Sequence, residues 1–180
     1  MNRRSAPRLL LLVAVLASVA WAGTAPFKVT PIVNQDGRVL ASFSAPSAFS
    51  AEAEHAMRSG MLLTFTFTVQ LRRPSTLWVD RTLAETTVMS SVKYDSLTGG
   101  YQVSKAHDGR IVASERKVRE PEVVRWMTTF DQVPLNGGEP LERNAEYYVT
   151  VRLRTSPRSG FFLWPFGHED GGRAGFTFIR

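Results

Sequence analysis

Leu63-Thr64-Phe65-Thr66-Phe67-Thr68-Val69-Gln70-Leu71-Arg72 alternates apolar and polar side chains without a break. Successive side chains of an extended strand point to opposite faces. Leu63, Phe65, Phe67, Val69 and Leu71 therefore fall on a packed side, with Thr64, Thr66, Thr68, Gln70 and Arg72 on a wet one. Helical spacing would scatter the same apolar residues around the axis. The rhythm returns in Tyr147, Val149, Val151 and Leu153 against Tyr148, Thr150, Arg152 and Arg154. Each of these half-apolar strands needs a second apolar surface to cover it.

Working outward, shorter strands are expected at Phe27 to Val33 and Arg38 to Ser44, with Asp36-Gly37 turning between them. Leu77 to Tyr94 reads as a long strand, with Ala84, Thr86, Val88, Ser90, Val92 and Tyr94 on one side. Its apolar phase is lost near Asp80–Leu83, which predicts a bend or bulge there. Thr98-Gly99-Gly100 turns into Tyr101–Lys105, and Asp108-Gly109 into Arg110–Ser114. Gly175 to Arg180 closes the chain as a strand with Phe176 and Phe178 in phase.

Two segments break the alternation. Ser47 to Ser59 carries Phe49, Ala53, Ala56 and Met57 at helical spacing, capped by Ser50 and stopped by Gly60. Glu120 to Phe130 sets Val123, Val124, Met127 and Phe130 on one face, with Pro121 in the first turn. The expected fold is all-β: an immunoglobulin-like antiparallel β-sandwich with two short helices closing an open end of the core. No β-α-β crossover recurs, which excludes a parallel α/β design.

The chain has 180 residues and no Cys. That excludes disulfide scaffolds, Cys-ligated zinc, iron–sulfur centres and thiol catalysis. At the N-terminus, Arg3, Arg4 and Arg8 precede the uncharged run Leu9 to Val19 and then Ala20-Trp21-Ala22. This ordering predicts a secretory signal peptide over 1–22 and a single β domain over 23–180. An exported, periplasmic protein follows, held at the inner membrane if the apolar segment stays uncleaved. Lys+Arg number 22 against Asp+Glu 16, a formal net charge of +6. Loss of three N-terminal arginines leaves 19 against 16, so nucleic acid is not an expected partner.

Several segments resemble the DUF4390 family of uncharacterised exported bacterial proteins. Leu71-Arg72-Arg73-Pro74 followed by Trp78-Val79-Asp80 carries part of the likeness. Val92-Lys93-Tyr94-Asp95-Ser96-Leu97-Thr98-Gly99-Gly100-Tyr101-Gln102-Val103 is its most specific stretch. It resumes at Leu135 and at Tyr147, Val149 and Val151, so it covers most of 38–155, while the tail after Ser156 is less alike. The resemblance brings no activity, catalytic residue or cofactor. It implies an envelope setting, with a sensor protein as one kind of partner.

Catalytic and metal patterns are sparse. His55, His107 and His168 have no second His three or four residues away, so no helical zinc pair is written. His168-Glu169-Asp170 and His107-Asp108-Gly109 read as turns. No Gly-x-Ser-x-Gly elbow and no phosphate loop is present. Asp80, Glu85 and Asp95 are carboxylates whose mutual distances the sequence leaves open. No catalytic residue, metal ligand or cofactor is assigned.

Trp78 is expected in the core, with Asp80 holding Arg73 or Arg81 near a bend; Tyr94 and Tyr101 are expected as cross-strand partners. Two features point to binding. Phe161-Phe162-Leu163-Trp164-Pro165-Phe166, framed by glycines, either caps the core or contacts a partner or membrane through Phe161, Phe162, Leu163, Trp164 and Phe166. Arg72, Arg152 and Arg154 point to the wet side of the two long strands and, if these pair, form an anion or docking face. The leading expectation is a non-enzymatic periplasmic binding or accessory protein of the bacterial envelope. The alternatives are an envelope hydrolase, marked by a cleft bringing His107 or His168 to Asp and Ser or Glu, and a peripheral membrane-surface protein. A small-molecule ligand remains open.

Overall fold

The structure is a computed structural model that describes residues 27–76, 79–135, 139–156 and 171–179. The signal segment 1–22, Trp78, the run 161–166 and His168 lie outside these residues. The strands are β1 (Lys28–Val33), β2 (Val39–Ser44), β3 (Leu63–Arg73), β4 (Arg81–Asp95), β5 (Gly100–His107), β6 (Arg110–Lys117), β7 (Thr129–Leu135), β8 (Ala145–Ser156) and β9 (Gly171–Phe178). The helices are α1 (Ala51–Arg58) and α2 (Glu120–Thr128), with a 3-10 turn at Pro46–Ala48.

The strand pairings among the described residues are antiparallel. One sheet runs β1-β2-β7, the other β6-β5-β4-β3-β8-β9. The alternation of β3 is obeyed throughout: Leu63, Phe65, Phe67, Val69 and Leu71 are buried while Thr64, Thr66, Thr68 and Gln70 are half-buried. Phe67, fully buried, joins the two sheets. Its ring lies 5.1 Å from Phe43 of β2, 5.2 Å from Phe130 of β7 and 6.5 Å from Phe27. Phe43 and Phe130 are themselves stacked at 5.0 Å.

Three strands cannot cover the inner face of six. The small sheet reaches β8 and β9 through β1, and β3 and β4 through β7, while α1 packs on β3 and β4, and α2 on β4, β5 and β6. The helices thus close the part of the core that the small sheet leaves open, as their apolar spacing predicted. Ser50 caps α1 by accepting from the Ala53 N–H at 3.3 Å, and Gly60 ends it in a left-handed conformation (φ 78°). In α2 the buried side is Val123, Met127 and Thr128. Ser90 of β4, 1% exposed, donates to the Met127 carbonyl oxygen at 2.7 Å and so ties α2 to the sheet.

The expected irregularity in β4 lies at Leu83. Register passes from Leu71↔Ala84 to Arg72↔Thr82, leaving Leu83 as the extra residue. Asp108 and Gly109 both take positive φ (45° and 79°), which suits the right-handed twist of the β5–β6 hairpin. β7 was not anticipated, because Gln132 (φ 51°) interrupts the alternation where β7 meets β2 with a register shift. β9 begins at Gly171 rather than Gly175. Gly172 lies against β1 there: a Cβ at this position would sit 2.7 Å from both Phe27 and Val29 side-chain atoms.

Two expectations need adjusting. The structure establishes antiparallel sheets with two helices, and the strand order does not establish an immunoglobulin topology. Four consecutive strands, β3 to β6, form a plain meander, and the wider sheet is completed by helices rather than by a matching sheet. The expected inner-membrane anchor is also corrected. No helix among the described residues is long and apolar enough to cross a membrane. The longest, α2, has nine residues and spans only about 14 Å, against about 30 Å of hydrocarbon.

Phe67→Ala tests the joint between the sheets. Removing this buried ring is expected to cost about 3–5 kcal/mol in urea unfolding, whereas Thr66→Ala on the other face should cost below about 1 kcal/mol.

Candidate functional site

β3 and β8 pair directly, so their wet sides form one surface. Thr66 faces Arg154, Thr68 faces Arg152, Gln70 faces Thr150 and Arg72 faces Tyr148. β9 extends this surface: Arg173 faces Thr150, Gly171 faces Arg152 and Gly175 faces Tyr148. β4, β5 and β6 continue it on the other side, adding Lys93 and Arg116. The strand residues Arg72, Lys93, Arg116, Arg152, Arg154 and Arg173 thus share one face with the acids Glu85, Asp95 and Glu146. Glu85 accepts from Gln70 at 2.6 Å.

The expected arginine face forms in part. Arg152 and Arg154 are exposed and adjacent on β8, but Arg72 stands apart from them. Its partner in register is Tyr148, four residues before Arg152, or about 13 Å along the strand. Arg72 is half-buried and donates to the Asp80 carbonyl oxygen at 2.9 Å, with its guanidinium carbon 5.9 Å from the Tyr148 ring centre. It holds the β3–β4 connection. Arg173 stands nearer in register than Arg72, on the strand next to Arg152 and offset by two residues. The reading missed it by starting the last strand at Gly175. Carrying the phase of Gly175 and Thr177 back two residues would have found it.

Tyr148 is on the wet side yet only 3% exposed. The Arg173 guanidinium carbon lies 3.6 Å from its ring centre, a stacked cation that covers the ring. The Tyr148 hydroxyl donates to the Asp80 carboxylate, which also accepts from the Ser75 N–H at 3.1 Å. Tyr148, Ser75 and the cations Arg72 and Arg173 hold the Asp80 carboxyl below its ordinary value, and burial with the Asp80 contact raises the Tyr148 hydroxyl. The expected partners of Asp80 are otherwise engaged: Arg73 pairs with Glu142 at 2.6 Å and Arg81 with Glu139 at 2.5 Å. Beside this network a shallow cavity of about 310 Å³ is lined by Tyr148, Arg173, Gly175, Glu146, Thr177 and Pro74 among others. Among the described residues, two buried polar atoms on this side, Thr150 Oγ1 and Arg72 Nε, find no hydrogen-bond partner.

The remaining chemical candidates resolve into structural contacts. Thr86 Oγ1 lies 2.6 Å from His107 Nε2 and 3.0 Å from Asp108 Oδ1. A nucleophile relay needs the carboxylate on the far imidazole nitrogen. Here Asp108 meets Thr86 itself and the Thr87 N–H at 2.9 Å, and Thr86 is 4% exposed. The Thr87 contact, then Thr86 and His107, hold the Asp108 carboxyl below its ordinary value. Among the described residues no group of three His, Asp or Glu is placed to hold a metal. Glu120 joins Arg58 of α1 (2.9 Å) and Tyr101 (3.0 Å), and Tyr94 and Tyr101 meet at 5.0 Å as expected. On the inner face, Lys105 donates to the Thr129 carbonyl at 2.6 Å and, with Lys117, lies 5.0 Å from the Trp126 ring; burial lowers its ammonium value.

A family model for a domain of unknown function, DUF4390, matches residues 25–158. No curated protein and no solved structure matches the chain.

The Asp80 network has a testable pH signature. A depressed folded value means stabilisation that is present above the unfolded carboxyl value, near 4, and lost as pH falls through the folded one. Tyr148→Phe is therefore expected to be less stable than wild type at pH 7, with the gap closing toward pH 3 in paired urea titrations.

Proposed function

Because the chain belongs to the DUF4390 family, a domain of unknown function, we propose a non-enzymatic binding or accessory role in the bacterial envelope, carried by the outer face of the six-stranded sheet. The uneven charge of that face carries the reading. Arg152 and Arg154 stand on the outer side of β8 and Arg173 on that of the neighbouring β9, while Glu146 lies toward the other end of β8 and Asp80 is engaged by Tyr148 and Ser75. Such a patch draws negatively charged partners by long-range attraction and orients them on arrival.

The hydrolase alternative has less support. His107 and Asp108 share one buried hydroxyl inside a hairpin, an arrangement that fixes the turn and leaves no activated nucleophile at a surface. The apolar residues Phe161, Phe162, Leu163, Trp164 and Phe166 remain a proposed partner or membrane contact on sequence grounds alone. In sequence they fall between β8, which carries Arg152 and Arg154, and β9, which carries Arg173.

In-cell photo-crosslinking distinguishes the faces. Probes at Lys93 or Thr177, exposed on the outer face, are expected to capture an envelope component reproducibly. A probe at Ile32, on the outward side of β1, should not. Capture through Ile32 alone would overturn the assignment.

A further inference from the structure

We propose that Met61, Leu62, Leu97 and Val118 form one apolar surface at the end of the large sheet where β3 begins, and that this surface rests on a lipid bilayer. It is distinct from the charged face of β8 and β9 and goes beyond the role proposed for that face. All four side chains are exposed, Leu97 at 96%. Register brings them together. Leu63 faces Val92, Val92 faces Val103 and Val103 faces Glu115, so β3 and β5 start at the end where β4 and β6 finish. Met61 and Leu62 lead into β3, Leu97 stands in the turn from β4 to β5, and Val118 follows β6. At about 4.8 Å per strand the four span about 14 Å of that end. The other exposed large apolar side chains are scattered among the described residues. Ile111 and Val112 stand on β6, with Ile32, Val79 and Ile179 toward the opposite end.

Leu97 is held out by its turn. The Asp95 carboxylate accepts from the Leu97 N–H at 3.0 Å and from the Thr98 hydroxyl at 2.7 Å. From β6, Arg116 donates to the Thr98 carbonyl oxygen. Its guanidinium lies over Gly100, where a Cβ would come within 2.5 Å of Nε. A turn fixed before contact gives up little freedom when its side chain is buried.

Three features favour lipid over a shaped partner. The four side chains rise from three separate connections, and Leu97 and Val118 are too exposed to line a groove. Hydrocarbon takes up such points without a complementary surface. The acids of this end are engaged within the protein: Asp95 by its turn, Glu115 by Lys117, Glu122 by Arg119, and Glu54 and Glu120 by Arg58. Lys93, one residue beyond Val92, is exposed there and suits an anionic headgroup. The chain also leaves β8 at this end, since Ser156 faces Thr64. Residues 157–170 follow directly and bring Phe161, Phe162, Leu163, Trp164 and Phe166 in sequence.

The chain contains no Cys, so a single substitution can carry an environment-sensitive nitrobenzoxadiazole label. The protein, purified in the form the cell produces, is labelled through Leu97→Cys or Ile179→Cys. Each is mixed with vesicles of phosphatidylethanolamine and phosphatidylglycerol. The label at 97 is expected to shift to the blue and to be quenched by brominated acyl chains. The label at 179, where Ile179 is 81% exposed at the other end, should do neither. The unlabelled double variant Leu62→Ser, Leu97→Ser is expected to bind the same vesicles about tenfold or more weakly by co-sedimentation. Ile179→Ser should bind as wild type does. Circular dichroism confirms that each variant is folded.

Equal responses at 97 and 179, or equal weakening by Ile179→Ser, overturn the surface in favour of diffuse attraction. No response at 97 overturns it as well, and so does unchanged affinity of the double variant. Self-association of the free protein that Leu97→Ser abolishes, with no lipid response at 97, gives this end to a second copy instead. Crosslinks through Thr177 report separately on the charged face and stand or fall without these results.

Discussion

The contact of Phe67 with Phe43 and Phe130 is the constraint on which the rest of the structure depends. It is the point where the central strand of the large sheet meets two strands of the small one. Once it is made, the two-residue repeat fixes every other side chain of β3, since a slip of one position would bury Thr66 and Thr68 and expose the rings. β8 pairs with β3 in register, so its own repeat is fixed in turn, and Arg152 and Arg154 are aimed outward by aromatic packing on the opposite side. The charged surface is in this sense a by-product of the core.

Much of this was legible in the chain. β3 and β8 could be read because their apolar residues are large and unbroken in phase, and α1 because Ser50 and Gly60 mark its ends. The bulge at Leu83 was legible as a loss of phase. β7 was not, because the positive φ of Gln132 and the shift against β2 destroy the two-residue signal while leaving Phe130, Val133 and Leu135 buried. Topology was less legible than strands: alternation says that a face is covered but not whether a sheet or a helix covers it. Here α1 and α2 cover much of what a second sheet of equal width would.

The candidate site was half legible, for a related reason. Phase predicts which face a residue takes; register determines which residues share a neighbourhood. Arg72 has the outward phase of Arg152 but lies far along the pair, where Asp80 and Tyr148 engage it. Arg173 belongs to a strand whose glycines weaken its signal, yet pairing places it beside Thr150. Tyr148 illustrates the converse: its outward phase implies exposure, and the guanidinium stacked on it buries the ring instead.

Gly172 carries a consequence out of proportion to its size. Its lone hydrogen lets β9 lie against Phe27 and Val29, where even a methyl group would collide. Sliding the strand by two positions would bring Ala174 into that gap, and sliding it by one would turn Arg173 toward the hydrocarbon interior. A missing carbon on one side of the ribbon thus acts as an alignment notch, and the direction in which a cation is presented on the other side is inherited from it.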